Sequence, residues 1–498
     1  MDKHASIHNR LDGDAEAVLQ VGHVNGDVHL HSRSIREPLP AGRPISAWSA
    51  FDLGVHRAIT VPGESLPDLP RYLRRAHDTE LDEQLTDSPS RSVMVVLTGE
   101  SSTGKTRALY ESVLAHPRLR EWPLWYPRTA DELLTLVRSG RLDGEAVLWL
   151  NETHNHLVGT TGDVAAGALW SLLDGSRGGS AVVLGTLWPQ FWAEFVATPR
   201  SAERDDHANA RTLLQVRTHR IRVADRFRDE DVQAARSLGA ADPRLSAALS
   251  ASGRSLQVIQ TMAGGPALLE RLDYPDDAND RFAAAIVTAA IDARRLGLLQ
   301  PVSRDLLVEA APGYLDDQDR VEPPEEWFIR GLARAAQQPI LGVTALIPHR
   351  RALGAGPADG YELHDYLDQH GRIARRGRPV PETLWSALLR HTHDSDDVLR
   401  LAESACQRLL HRYGDPLLDR ALLTANDQTQ DYLVALMTEY GRLDRGDQAA
   451  AGHRLRTAAG TLAPTWTAGV RSTSSDIEPA RTRLRPRSPS TAGNLRGT

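Results

Sequence analysis

SVMVVLTGESSTGKTRALY, residues Ser92–Tyr110, decides the fold. Its opening residues, Ser92–Leu97, form an apolar run of strand length, as expected of a strand buried on both faces. The next eight, Gly99 to Thr106, fit GxxxxGK[ST] at every fixed position. RALYESVLAHPRL follows and reads as a helix stopped near His116 by Pro117. Strand, glycine loop and helix in that order identify a phosphate-binding loop. Gly99 and Gly104 let the backbone curl, so that successive N–H groups across Glu100, Ser101, Ser102 and Thr103 turn inward as an anion nest. The helix that begins near Lys105 adds its positive dipole end, with Arg107 in its first turn. Lys105 is expected to neutralise β- and γ-phosphate charge, and the Thr106 hydroxyl to ligate Mg²⁺.

The same alternation continues downstream. TADELLTLVRSG (Thr129–Gly140) reads as a helix, EAVLWLNE (Glu145–Glu152) as a second buried strand, and DVAAGALWSLLDG as a helix. SAVVLGTLWP (Ser180–Pro189) reads as a third strand. Buried strands alternating with helices predict an α/β domain, a parallel sheet with helices on both faces. Phosphate-loop enzymes place a carboxylate at the end of a neighbouring strand to hold Mg²⁺ and orient the attacking water. Here that strand ends in Asn151 and Glu152. Either Glu152 orients water while Thr106 and the phosphates hold the metal, or hydrolysis is slow and binding is what matters. Thr186, ending the third strand, has a hydroxyl that could reach a γ-phosphate. His154 and His156 form an HxH pair with no matching ligand set nearby, so they read as a polar loop.

Upstream, RYLRRAHDTELDEQL (Arg71–Leu85) has leucines and a histidine at steps of four, which predicts a helix. Residues 36–47 carry three prolines and read as a linker, and DSPSR (Asp87–Arg91) as a turn. Downstream of the sheet, residues 201–298 read as helices, 299–375 as a small α+β module, and 380–465 as helices again. Residues 466–498 are rich in Ser, Thr, Arg and Pro and read as disordered. The 498 residues are 41% apolar and 25% charged, enough to bury several cores. A net charge of −7 gives no reason to expect a dedicated nucleic-acid binder. The single cysteine, Cys406, excludes an intramolecular disulfide and fits a reducing compartment. The N-terminus lacks the apolar core of a secretory signal, and the longest apolar stretch, Ala181–Ala197, is broken by Pro189, Gln190 and Glu194. Neither export nor a membrane span is expected, and the chain reads as cytoplasmic.

Three further phrases carry a family resemblance. LRRAHDTEL (Leu73–Leu81) resembles the GRxxEL segment that precedes the phosphate loop in STAND-type signalling NTPases, with Arg74 in place of its glycine. Gly264-Gly265-Pro266 resembles their GxP motif, and Leu363-His364-Asp365 their MHD motif at the end of a winged-helix module. SSTGKTR, WLNE and LGTLWP are similar to phrases shared by actinobacterial members of that class over roughly residues 51–426. The resemblance implies an adenine nucleotide, ATP or ADP with Mg²⁺, held by the loop, with Pro266 near adenine and ribose and His364 at the β-phosphate. It also implies a P-loop domain at 48–200, a helical lid at 201–298, a winged-helix-like module at 299–375, and the start of a repeat array beyond 380. Activation in that class involves nucleotide exchange, opening and assembly into a homo-oligomer, with at most slow hydrolysis assigned here to Glu152 and Lys105. A role in bacterial defence or stress signalling would follow.

AVLQVGHVNGDVHLH (Ala17–His31) sets valines around an Asn-Gly turn signal. It resembles short amyloid-like signalling motifs with a QxGxxN core, here Gln20, Gly22 and Asn25. That implies in-register stacking with an effector protein sharing the motif. Two other functions fit the loop less well. A small-molecule kinase needs an acceptor site, and nothing in the sequence resembles one. A DNA-binding regulator could use the basic HGRIARRGR (His370–Arg378), against the acidic net charge.

Overall fold

The structure, a computed structural model, describes residues 41–86, 91–174, 179–198, 205, 207–321, 323–350, 356, 358–424 and 433. The stretches read above as a signalling motif (17–31) and a tail (466–498) lie outside these, as do most of the Asp87–Arg91 turn and of the helical reading beyond 424.

The α/β core follows the chain as α1 (Ala76–Thr86), β1 (Val93–Thr98), α2 (Lys105–Ala115), β2 (Leu124–Trp125), α3 (Ala130–Arg138), β3 (Ala146–Leu150), α4 (His154–Leu157), α5 (Gly159–Leu173), β4 (Ala181–Leu187), α6 (Pro189–Val196), α7 (Ala208–Thr212) and β5 (Thr218–Arg222). The five strands make one sheet in the order β2-β3-β4-β1-β5, every pairing parallel. Every residue of β1, β3 and β4 is buried. Alternate side chains feed two cores. Met94, Val96, Leu148 and Val183 pack with α3, α5, α6 and α7 on one face. Val95, Leu97, Val147, Trp149 and Leu184 pack with α1 and α2 on the other.

Several elements differ from the sequence reading. The helix expected from Arg71 begins at Ala76, because the Asp78 carboxylate accepts the Arg75 N–H (2.6 Å) and the Tyr72 hydroxyl (2.5 Å) and closes the first turn there. β5 falls in the stretch read as wholly helical. Only Ile221 of its five residues is buried, since it pairs on one side alone, so it lacks the apolar run of a central strand. β3 is not beside β1, because β4 lies between them. The described part of the expected linker is packed, not free. Arg43 and Leu124 exchange backbone hydrogen bonds of 3.3 and 2.9 Å, and Ile45 is fully buried.

After the sheet come α8 (Asp229–Gly239), α9 (Pro243–Ser252), α10 (Val258–Met262), α11 (Gly265–Asp273) and the long α12 (Ala278–Leu296). Then follow α13 (Arg304–Ala310), α14 (Pro324–Ala336), an antiparallel pair β6 (Leu346–His349) and β7 (Gly360–Leu363), and α15 (Asp365–Ala374). α16 (Glu382–His391), α17 (Ser395–Gln407) and α18 (His411–Thr424) complete the described helices. α12 is the axis of this half, burying Phe282, Ile286, Ala290 and Ile291. The aliphatic side chain of Ile291 lies so close to Gly371 of α15 that a side chain there would collide with it. The chain leaves β7 directly into α15, with His364 at its N-cap, and this sets the helix against the end of the sheet that carries the phosphate loop.

Candidate functional site

The loop takes the curled form its glycines allow. Gly104, at φ +93°, is the N-cap of α2. A Cβ at Gly99 would lie 2.6 Å from the Val223 carbonyl oxygen, so the close passage of β5's continuation admits only glycine there. Thr103 Oγ1 donates to the Glu100 carbonyl (2.9 Å), while the Arg75 guanidinium donates to the Thr103 carbonyl (2.6 Å). Ser102 has φ +55°. Lys105 is 6% exposed and folds back onto the loop, its Nζ donating to the Gly99 and Glu100 carbonyls at 2.9 and 2.6 Å. Burial lowers its pKa to about 8, against the pull of Asp365, Glu152 and Glu100. Arg107 points elsewhere, holding Glu111 at 2.7 Å and the Pro70 carbonyl at 3.2 Å.

The strand ends meet the loop through Asn151. Its Oδ1 accepts the hydroxyls of Thr106 (2.8 Å) and Thr186 (3.0 Å). Thr186 Oγ1 in turn accepts the Glu152 backbone N–H at 2.8 Å. The amide therefore knits α2, β3 and β4 together at the point where the metal-linked carboxylate was sought. Gly54 approaches it so closely that a Cβ would sit 2.5 Å from Asn151 Nδ2. Glu152 has φ +52°, and its Oε1 has no hydrogen-bond partner among the described residues. Burial, then the charge of Asp365, raises its pKa to about 8.

The third component arrives from α10 and α15, 159 and 268 positions from Ser101 in the chain. The Ser101 backbone N–H donates to Gln369 Oε1 of α15 at 2.5 Å, and Gln260 Nε2 of α10 donates to the Ser101 carbonyl at 3.2 Å. The two peptide units flanking Ser101 are thus each held by a glutamine, one from α15 and one from α10. At the start of α15, Asp365 Oδ2 lies 2.8 Å from His56 Nε2. His56 stacks on His364 with ring centroids 5.1 Å apart. Burial alone would lower His56, but the charge and hydrogen bond of Asp365 outweigh it and raise its pKa. The same contact, against burial, holds Asp365 at about 2. His364 is 3% exposed and is held neutral, at about 4, by burial and the neighbouring His56. Its Nδ1 accepts the Tyr366 N–H at 3.3 Å, and the ring donates a second hydrogen bond to the Ala263 backbone.

The structure brings Gly99 to Thr106, Asn151, Glu152 and Thr186 into one cluster, with His364 at the head of the helix that touches it. Pro266 enters indirectly: it lies in the first turn of α11, whose Gly265 packs on the Tyr366 ring. His154 and His156, read as a polar loop, instead lie buried on α4. His154 stacks on Phe191 (4.0 Å between centroids) and His156 Nε2 bonds the Pro127 carbonyl. No group of ligating side chains suited to a metal ion exists among the described residues. No described helix is long and apolar enough to cross a membrane. The sequence reading missed His56, Gln260 and Gln369. For Gln369 a signal was present: it stands four residues after Asp365, hence on the same helical face.

A phosphate chain with its Mg²⁺ fits these residues. The nest is curled, the glycine positions admit no side chain, Lys105 is buried with only carbonyl partners, and Glu152 keeps an unpartnered oxygen. Lys105, the loop N–H groups and the Thr106 hydroxyl would hold such a group. No protein-family model and no curated protein matches the chain. Among solved structures, it is similar to the Signal Transduction ATPase with Numerous Domains (STAND) protein with a tetratricopeptide repeat sensor from Pyrococcus horikoshii, at 10% identity and a TM-score of 0.34. That similarity covers 81% of this chain and 64% of that one, so the chain spans less than two thirds of the structure it resembles.

Proposed function

We propose that the chain is a nucleotide-dependent signalling switch that binds ADP or ATP with Mg²⁺ at the Gly99–Thr106 loop. The observation that carries this reading is the seat of α15 on the loop itself. A fuel-burning enzyme has no need to tie its phosphate loop to a helix more than 250 residues on, whereas a switch needs such a tie. Bound Mg²⁺-nucleotide supplies charge that the two states of the protein read differently. Lys105 leaves the Gly99 and Glu100 carbonyls and turns its ammonium to the phosphates. Thr106 exchanges Asn151 for the metal. Glu152, protonated near neutral pH by its burial, is a poor water-activating base, which suits slow hydrolysis. In this reading His364 and Pro266 meet the nucleotide from the side of α11 and α15. In this reading residues 48–200 hold the nucleotide, 201–298 form its lid and 299–375 the winged-helix-like module that closes over it. Exchange releases that module and permits assembly, which concentrates the N-terminal segments. A ligand moves such an equilibrium only by its differential affinity for the two states.

The test is mass spectrometry of nucleotide released from purified protein, alongside light scattering of the wild type, Lys105→Ala and His364→Ala. The wild type is expected to carry adenine nucleotide, Lys105→Ala to lose it, and His364→Ala to shift toward larger assemblies. A wild type free of adenine nucleotide, with assembly unchanged in both variants, overturns the reading.

A further inference from the structure

We infer that Gln369 makes the loop discriminate between nucleoside di- and triphosphates, by placing its carboxamide oxygen where the terminal phosphate of the longer chain must bind. This rests on the nucleotide reading above and adds to it a specificity residue.

Gln369 is 5% exposed, so its position is fixed by packing and is not a surface accident. Its Oε1 accepts the Ser101 N–H, and its Nε2 faces Gln190 Oε1 at 3.5 Å. Ser101 is itself 1% exposed. The Ser101 N–H belongs to the anion nest, yet here it is committed to a neutral amide oxygen, which has the same acceptor character as a phosphate oxygen. The carbonyl of the same peptide unit, that of Glu100, accepts Thr103 Oγ1 and Lys105 Nζ, and Gln260 holds the next carbonyl, that of Ser101, so the N–H cannot swing to a second acceptor without losing these bonds.

Position along the loop decides which phosphate competes. The nest has two ends. One is the N-terminus of α2, at Gly104, Lys105 and Thr106, where the helix dipole and two side-chain donors favour the phosphates nearer the sugar. The other is the Ser101 side. Gln369 meets it together with Gln190, which stands at the start of α6 directly after β4. Glu152, the carboxylate read from the sequence as the one to orient water, has its backbone N–H tied to Thr186 of β4. The Ser101 end and Glu152 therefore both belong to the side of the reacting terminal phosphate. A diphosphate leaves the Gln369–Ser101 bond intact, and a triphosphate must replace it.

Gln369 is also the point through which that competition reaches α15. The helix is also held by ion pairs of Asp368 with Arg294 of α12 (3.1 Å) and of Asp292 of α12 with Arg375 at its C-terminal end (2.8 Å), and by His56 on Asp365. None of these touches the loop. The amide is thus the group whose displacement converts phosphate number into a change of seat for α15.

The experiment measures ADP and ATP affinities of the full chain by calorimetry, for the wild type, Gln369→Ala and Gln369→Glu, with melting curves to establish that each variant folds. Net contributions of single hydrogen bonds put the expected effect of Gln369→Ala at about three- to tenfold in favour of ATP relative to ADP. Gln369→Glu keeps an acceptor for Ser101 but adds negative charge against the terminal phosphate. It is expected to shift the ratio about tenfold or more the other way, mainly by weakening ATP. A merely structural role moves both affinities alike and cannot give shifts of opposite sign. Equal changes in ADP and ATP affinity, or an unchanged ratio in both variants, overturn the inference while leaving the nucleotide reading intact. A wild type that binds neither nucleotide overturns both.

Discussion

Lys105 and Glu152 face one another across the site with their pKa values converging on about 8, the lysine lowered and the glutamate raised by burial. In this state Lys105 satisfies its ammonium on carbonyl oxygens, which offer dipoles but no counter-charge. A polyphosphate reverses the balance by favouring the charged ammonium. The same charge favours the neutral carboxyl of Glu152, so binding of Mg²⁺-free ADP near pH 8 is expected to take up about half a proton at Lys105 and up to as much again at Glu152. Calorimetry in buffers of different ionisation enthalpy reads this directly. The uptake at these two groups is expected to fade by pH 6.5, where both already hold their protons, and to fall by about half in Lys105→Arg, whose guanidinium stays protonated. At this scale the sequence was legible wherever the residues are contiguous. Gly99, Gly104, Lys105 and Thr106 declare themselves by spacing. Asn151 and Thr186 stand at strand ends, yet their shared hydrogen bonds need the strand order, with β4 between β3 and β1, before they make sense. Gln369 and Gln260 are ordinary amides in helices until folding sets them on the N–H and the carbonyl of one residue, Ser101.

Secondary structure was legible in proportion to burial. β1, β3 and β4 are covered on both faces, so their sequences are apolar throughout and nothing else fits them. β2 has two residues and β5 sits at the edge with polar THRIR, so neither leaves a hydrophobic period to read. α3 shows the opposite case. Its start is written locally: Thr129 accepts the Glu132 N–H at 3.2 Å, and the Glu132 carboxylate accepts the Arg128 N–H at 2.6 Å. Thr129→Ala is expected to cost about 1 kcal/mol, seen as a lower urea midpoint with an unchanged slope. α4 was misread because a four-residue helix carries too few positions for a period. Its two histidines look polar on paper, whereas burial holds both neutral in aromatic and backbone surroundings.

Across the whole molecule, the His56–Asp365 contact joins a segment ahead of the sheet to the helix that follows the β6–β7 pair. Its pH dependence has two limits. His56, raised above its ordinary 6.5, contributes fully below that value, and the contribution is lost as pH rises through the folded pKa. Asp365, lowered to about 2, contributes above its ordinary 3.8, and that is lost as pH falls through about 2. Glu152 raises and Lys105 lowers His56 further, while His364 and Arg294 help to lower Asp365. Asp365→Asn is expected to lose about 1.5–3 kcal/mol. In melting experiments across pH, its deficit against the wild type should be widest between roughly pH 4 and 6.5 and narrow on either side.

The double grip on Ser101 has a mechanical meaning as well. α10 holds its carbonyl and α15 its N–H, so the loop is a link in a chain of force running from the helices after the sheet into the phosphate cradle. Tension applied beyond α15, for instance by a partner drawing on α16–α18, arrives at the N–H of Ser101 before it reaches any other part of the loop. Traction on the C-terminal helices would then loosen the grip on nucleotide without any contact between the pulling partner and the nucleotide itself.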